Sequence, residues 1–148
     1  MDSLFTPEGS RKIVERIMRL DSAHPPVWGK MSAAQMVTHA QRPLQVAVGE
    51  LKLKHSFLGK LFGGMVKRQL SAVPQFKPNL PTAPQFIIRD QPDFVKERNK
   101  LISLVQEFSI KKSEVTTFKH PFFGAMTEQE WDSLQWKHLD HHLRQFGV

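Results

Sequence analysis

Apolar residues recur every three to four positions over most of the chain, the spacing typical of amphipathic helices. Four long segments follow this pattern. Ser32 with Gln35 and Thr127 with Glu130 have the spacing of capping boxes, which mark where two of them begin, and Gly147 is predicted to end the last. Their approximate limits are 6–20, 32–47, 92–112 and 127–148. Because no segment alternates apolar and polar residues as a strand does, the sequence predicts an all-α domain over residues 1–148, folded as a four-helix bundle.

A long connection between the second and third helices departs from the helical pattern. Residues 57–66 are predicted either as a short amphipathic helix, weakened by three glycines, or as an irregular insert. The stretch 71–86 contains four prolines and is predicted to run extended across the surface. A connection of this length in a compact domain is often a lid or an interface.

The same connection carries the excess charge of the chain. The segment from Leu51 to Arg89 contains no acid and seven basic residues: Lys52, Lys54, Lys60, Lys67, Arg68, Lys77 and Arg89. The fourteen basic and fourteen acidic residues elsewhere cancel, so this segment supplies the net charge of +7. We interpret it first as a solvated loop and second as a surface that favours an anionic small molecule or partner. Nucleic acid ranks last because no nucleic-acid-binding motif accompanies the charge.

The composition excludes several kinds of chemistry. The chain has no cysteine, and therefore no disulfide, no thiolate zinc site and no cysteine nucleophile. The sequence begins without the features of a signal peptide, and no run approaches the roughly 20 apolar residues that span a bilayer. We expect a soluble cytoplasmic protein with no membrane partner, in which residues 57–66 pack on the bundle rather than lie on a membrane surface.

The last helix contains two histidines on its core-facing side. His138 and His142 are four residues apart, one helical turn of about 5.4 Å, and share an apolar arc. Lys137, Asp140 and Arg144 fall on the opposite face. Imidazole nitrogens at this spacing can bind one ion at about 2.0 to 2.1 Å. Alternatively both are structural or surface histidines, but burying unpartnered imidazoles costs on the order of 1 to 3 kcal/mol each, so the spacing favours metal binding.

The other histidines do not by themselves supply a third ligand. His39 lies at the edge of the apolar face of the second helix, a position that suits either a ligand or a surface residue. His141 lies on the flank of the arc of the last helix. His120 precedes a proline, where a role in a turn is favoured over one beside the site. The residues alone therefore indicate two ligands and leave the third open.

One histidine on the second helix and a His-x-x-x-His pair on the last form a pattern that resembles the DinB/YfiT-like superfamily of four-helix-bundle metalloproteins, and a branch of uncharacterised domains within it. The stretches that carry the resemblance are WGKMSAAQMVTHA (28–40), HPFFGAMTEQEW (120–131) and WKHLDHHLRQFGV (136–148). It covers nearly the whole chain.

The resemblance implies a single divalent ion held by His39, His138 and His142. Three imidazoles leave an ion open positions for water or substrate, the arrangement of a catalytic site. Nickel, zinc, iron and manganese all suit this ligand set. Gln35 and Gln145 are candidates to orient a ligand of the ion or a bound water.

The superfamily includes thiol-dependent transferases and hydrolase-like proteins. The resemblance therefore implies a metal-dependent enzyme that activates water or a thiol, and the basic segment favours an anionic small-molecule substrate. The alternative is a non-catalytic metal-binding or ligand-sensing bundle, linked to stress, in which the ion ties the second helix to the last. A wide apolar arc on the last helix also favours a homodimer; it includes Trp136, Leu139, Leu143 and Phe146.

Overall fold

The chain is all-α in a computed structural model that describes residues 2–54 and 57–148, apart from the side chains of Leu58 and Lys60. The described residues form no strand, only an isolated β-bridge between His120 and Gly124. Their α-helices are α1 Pro7–Met18, α2 Ala33–Ala47, α3 Phe57–Ala72, α4 Phe94–Ile110 and α5 Glu128–Gln145. The predicted basic segment is described except for His55, Ser56 and the side chains of Leu58 and Lys60.

Side-chain caps set the predicted helix starts. Both predicted capping boxes form, Ser32 with Gln35 at the start of α2 and Thr127 with Glu130 at the start of α5. In each box the hydroxyl accepts a hydrogen bond from an amide that has no partner inside the helix. α4 begins two residues later than predicted, because Asp93 is its N-cap and accepts a hydrogen bond from the Lys96 amide at 2.8 Å.

The last helix ends where the sequence places its stop. Gly147 has a φ of 73°, in the left-handed region that glycine adopts without steric cost. Its amide donates to the Arg144 carbonyl at 3.0 Å, and the Val148 amide donates to the Leu143 carbonyl at 3.0 Å. These two bonds form a Schellman motif, which satisfies carbonyls that the end of a helix otherwise leaves free.

The segment that was ambiguous in the sequence is a full helix of 16 residues, α3. Its glycines weaken the helix but allow it to approach the turn that precedes α5. A Cβ atom on Gly63 would lie 1.9 Å from the Phe122 carbonyl oxygen, whereas one on Gly64 would meet nothing within 4 Å. Lys67 also holds α3 in place through a 3.0 Å ion pair with Glu130. The long connection therefore contains an additional helix that packs on α5.

A single hydrophobic core lies between α1, α2, α4 and α5, with its most extensive contacts between α2 and α4. The apolar arc of α5 was the basis for predicting a homodimer. Its members are buried by the rest of the same chain: Trp136, Leu139, Leu143 and Phe146. The arc therefore needs no second subunit to cover it. None of the helices in the described part of the chain is both long and apolar enough to cross a bilayer.

Lys137 corrects the predicted outer face of α5. The sequence placed it opposite the core, but it is only 3% exposed because α3 covers it. Its ammonium group donates to the carbonyls of Leu70 and Ser71 at 3.0 and 3.1 Å, near the carboxyl end of α3. That end carries a partial negative charge, so the buried cation stabilises the junction of α3 with α5.

Candidate metal centre

Three histidines from two helices converge at one point. His39 lies on α2, and His138 and His142 lie one turn apart on α5. The Nε2 atoms of His39 and His138 are 3.2 Å apart. The ring centroid of His142 lies 4.7 Å from that of His39 and 4.6 Å from that of His138. One nitrogen from each ring lies within 4.8 Å of the others, so the three side chains could hold a metal ion. The predicted ligand residues are thus brought together.

Hydrogen bonds on the outer side of two rings fix which nitrogen faces the centre. Nδ1 of His39 lies 2.8 Å from the Phe86 carbonyl oxygen, and Nδ1 of His142 lies 2.8 Å from Oε1 of Gln145. Both partners are acceptors, so both Nδ1 atoms carry the proton. Each Nε2 atom therefore presents a lone pair to the centre, as a metal ligand must.

His138 provides the test of whether these residues suit an ion. With no ion between the rings, its Nε2 must carry the proton and donate to Nε2 of His39. Its Nδ1 is shielded from solvent and has no partner whether or not an ion is bound, so the short distance between the two Nε2 atoms is the observation that bears on an ion. An ion would instead accept lone pairs from all three Nε2 atoms and relieve the contact between His39 and His138. The donor set of three neutral imidazoles fits a divalent transition-metal ion.

Burial keeps the three imidazoles neutral. Removal from solvent is the main reason why the pKa of His39 is lowered. It is also the main reason why the pKa of His138 lies well below its ordinary value. The same cause lowers the pKa of His142 to about 3. Mutual repulsion between the rings acts in the same direction. Because only the neutral imidazole binds a metal, the site is held in its binding-competent protonation state.

Of the two predicted orienting glutamines, Gln145 contacts the site and Gln35 does not. Gln145 accepts from His142 through Oε1 and donates through Nε2 to the Trp28 carbonyl at 2.9 Å. Gln35 closes the capping box of α2 and donates to the Asp90 carbonyl at 3.1 Å. Its side chain caps the helix and anchors the segment before α4.

Gln145→Leu should lower the affinity for a divalent ion by about 10- to 100-fold, the usual cost of losing a partner that orients a ligand. The change leaves Nδ1–H of His142 without its acceptor, so the ring is no longer held toward the centre. Competition with a chromophoric chelator measures the affinity. Gln145→Glu keeps an acceptor for His142 and should retain metal; equal affinity in the leucine variant would show that Gln145 does not orient the ring.

His141 lies beside the cluster but is not part of it. Its Nδ1 contacts the Phe76 carbonyl oxygen at 3.3 Å, and its ring packs edge-on against Trp28 and His142. Its position on the flank of the predicted arc is confirmed. His141 fixes the segment around Phe76 to α5.

The three histidines line a cavity of about 510 Å³ between α5, α3 and the proline-rich stretch. Apolar side chains form most of its wall, among them Phe62 and Val66 from α3 and Phe122 and Phe123 from the turn before α5. Residues 80–83 of the proline-rich stretch form another part of the wall. The long connection therefore supplies part of the wall along the approach to the histidines.

His120 also lines this cavity, a contribution that the sequence did not predict. It is 4% exposed and stacks on Phe123 with a centroid separation of 4.3 Å. Its Nδ1 accepts hydrogen bonds from the amides of Phe122 and Phe123, both at 3.2 Å. The histidine thus holds together the turn that packs against α3. The His-Pro sequence indicated a turn, but not that its ring faces a cavity.

Acid should destabilise the wild-type protein more steeply than His120→Asn between pH 6.5 and 4. Burial lowers the pKa of His120 from 6.5 to about 4, so the unfolded chain binds an extra proton in this range. The free energy of unfolding contributed by His120 is complete above pH 6.5 and falls by up to about 1.4 kcal/mol per pH unit below it. Denaturant titrations at several pH values test this, and parallel profiles would contradict it.

The fold and the cluster together define an all-helical protein with a histidine site able to hold a metal ion. The chain belongs to the family described as protein of unknown function DUF1569, whose family model matches residues 4–147. No curated protein and no solved structure matches the chain.

Proposed function

We propose that this protein is a divalent-metal-dependent enzyme in which His39, His138 and His142 hold one ion. When bound, the ion supplies Lewis-acid chemistry that activates water or a thiol, as in a hydrolase or a thiol transferase. In this proposal α1, α2, α4 and α5 form a DinB/YfiT-like four-helix bundle, and α3 with the proline-rich stretch is an addition that encloses the site.

The observation that carries the proposal is the convergence of three neutral imidazoles beside a cavity large enough for a small molecule. Two of the rings are held by hydrogen bonds on their outer sides, at 2.8 Å each, so their orientation does not depend on an ion. Catalytic metal sites with three protein ligands leave a coordination position for substrate. A purely structural site more often uses four protein ligands.

The positions of the acidic residues near α5 bear on which type of reaction the site could support. The described side chains that line the cavity include no aspartate or glutamate. Asp140, the carboxylate nearest in sequence to the ligands, pairs with Arg16 and Arg144 at 2.9 Å each and is held away from the histidines. Reactions that need a carboxylate as general base are therefore less well supported than those in which the nucleophile is activated by the ion.

A second candidate is a non-catalytic metal-binding or ligand-sensing protein, favoured by the fact that His39 lies on α2 and its partners lie on α5. An ion there would link the two helices. The most extensive helix contacts, between α2 and α4 and between α1 and α4, join pairs of helices other than the pair that the cluster would link. We therefore expect the metal-free protein to remain folded, whereas a mainly structural ion would be required for folding.

A paired measurement tests the proposed enzyme against this alternative. Purified protein is stripped with a chelator and reloaded separately with nickel, zinc, iron and manganese. Each form is then assayed with low-molecular-weight thiols and with simple esters and amides. We expect a folded, helical apo-protein by circular dichroism and turnover only in a loaded form, with loss of turnover in His142→Ala. Metal-dependent folding with no turnover in any loaded form would favour the structural role.

A further inference from the structure

The cavity beside the histidines carries almost no charge. Among the described side chains that line it, the polar ones are Thr82 and the histidines, and there is no lysine, arginine, aspartate or glutamate. Lys67 of α3 does not line the cavity; it pairs with Glu130 at 3.0 Å and donates to the Ala125 carbonyl. The basic charge of the Leu51–Arg89 segment, which favoured an anionic substrate, thus lies outside the described lining.

His120 is a fixed hydrogen-bond donor in this apolar setting. Two backbone amides donate to its Nδ1, so that nitrogen carries a lone pair and the proton of the neutral ring lies on Nε2. Among the described residues Nε2 has no hydrogen-bond partner, although the side chain is more than nine-tenths buried. This nitrogen is not among the solvent-shielded atoms that lack a partner, so it is reached from the cavity and can donate to the acceptor of a bound molecule.

The position of His120 relative to the ligands sets the length of a molecule that reaches both. The His120 ring lies 5.6 Å from that of Trp131, centroid to centroid. Trp131 precedes His138 by seven residues on the same helix, a distance of roughly 10 Å along the axis. Leu134, between them on the same face, is part of the cavity wall. His120 and the histidine cluster therefore lie at separate places along one apolar surface.

We infer that the substrate is a predominantly apolar molecule that places a metal-binding group at the three histidines and a hydrogen-bond acceptor, such as a carbonyl oxygen, on Nε2–H of His120. The inference rests on the proposed metal site and specifies the substrate class of that site. His120 is a residue that positions the substrate through the acceptor. The apolar wall from α3 and from Phe122 and Phe123 supplies the affinity for the body of the molecule.

Three hydroxamates serve as probes, because a hydroxamate binds divalent ions through its two oxygens. Acetohydroxamic acid has no apolar body, and decanohydroxamic acid has an alkyl body. 8-Oxodecanohydroxamic acid adds a ketone roughly 10 Å from the metal-binding end, comparable to the axial rise from Trp131 to His138. Calorimetry measures their binding to the metal-loaded wild-type protein and to His120→Asn. Asparagine Oδ1 occupies the place of Nδ1, so it keeps the acceptor for the two amides but removes Nε2–H. Metal content before and after titration shows that the ion is retained.

We expect decanohydroxamic acid to bind at least tenfold more tightly than acetohydroxamic acid. We expect the ketone to improve binding to the wild-type protein by about fivefold, the effect of one net hydrogen bond, and to give no improvement in His120→Asn. Equal binding of the short and long probes would overturn the apolar substrate class while leaving the metal site intact. A ketone preference that persists in His120→Asn would overturn the role of His120. A wild-type protein that retains no metal would overturn the proposed function itself.

Discussion

His39→Ala should lose high-affinity metal binding, with a decrease in affinity of more than about a hundredfold, because changes to residues that merely orient a ligand already cost 10- to 100-fold. The substitution removes the ligand contributed by α2 and leaves the two imidazoles of α5, which span one turn and cannot enclose an ion. His138→Ala and His142→Ala should have effects of the same size. The measurement is metal content after dialysis, followed by competition titration with a chromophoric chelator.

The control for this prediction is His141→Phe, which keeps an aromatic ring against Trp28 but removes both nitrogens of the neighbouring histidine. It should bind metal within a few-fold of the wild-type protein, because His141 points to the Phe76 carbonyl rather than to the cluster. Circular dichroism checks that each variant is folded. If His39→Ala retained the wild-type affinity, or if His141→Phe lost it, the assignment of the three ligands would be wrong.

Gly63→Ala should separate α3 from the turn that carries His120, with a loss in the free energy of unfolding of about 1 to 3 kcal/mol, typical of overpacking. Its new Cβ would lie 1.9 Å from the Phe122 carbonyl oxygen, a backbone atom that cannot move aside without displacing the turn. Since α3 and this turn form one wall of the cavity, binding of apolar probes should weaken together with stability. Denaturant unfolding and probe calorimetry measure the two effects.

Gly64→Ala is the matched control, because it makes the same chemical change one residue further along the helix. Its Cβ would contact nothing within 4 Å. Alanine has the higher helix propensity, so this variant should be more stable than the wild-type protein by roughly 0.5 to 1 kcal/mol. Equal effects of the two substitutions would contradict the close packing of α3 on the Phe122 turn.

The elements that the sequence predicted best are those with local causes. The capping boxes at Ser32 and Thr127 and the glycine stop at Gly147 depend on residues within a few positions of one another, and all three form. The pair His138 and His142 follows from helical spacing in the same way. His39 is distant in sequence, and its place in the cluster came from the family resemblance rather than from its own position.

The elements that the sequence predicted poorly depend on long-range packing. The glycines of α3 lower its helix propensity, so the sequence alone did not clearly predict a helix there. The structure shows that Gly63 is needed because the Phe122 carbonyl leaves no room for a side chain. Helical spacing placed Lys137 on a solvated face of α5, whereas in the structure α3 covers it. The role of His120 depends on which of its nitrogens two backbone amides occupy, and no sequence pattern specifies that choice.

X-ray absorption at the edge of the ion in the metal-loaded protein tests the central claim most directly, because it reports the number and type of ligand atoms without any assay of activity. For zinc, we expect scattering from three imidazole rings with nitrogens at about 2.0 to 2.1 Å, together with one or two lighter ligands such as water oxygen. A shell of oxygen ligands with one imidazole or none would contradict the claim that His39, His138 and His142 form a metal site.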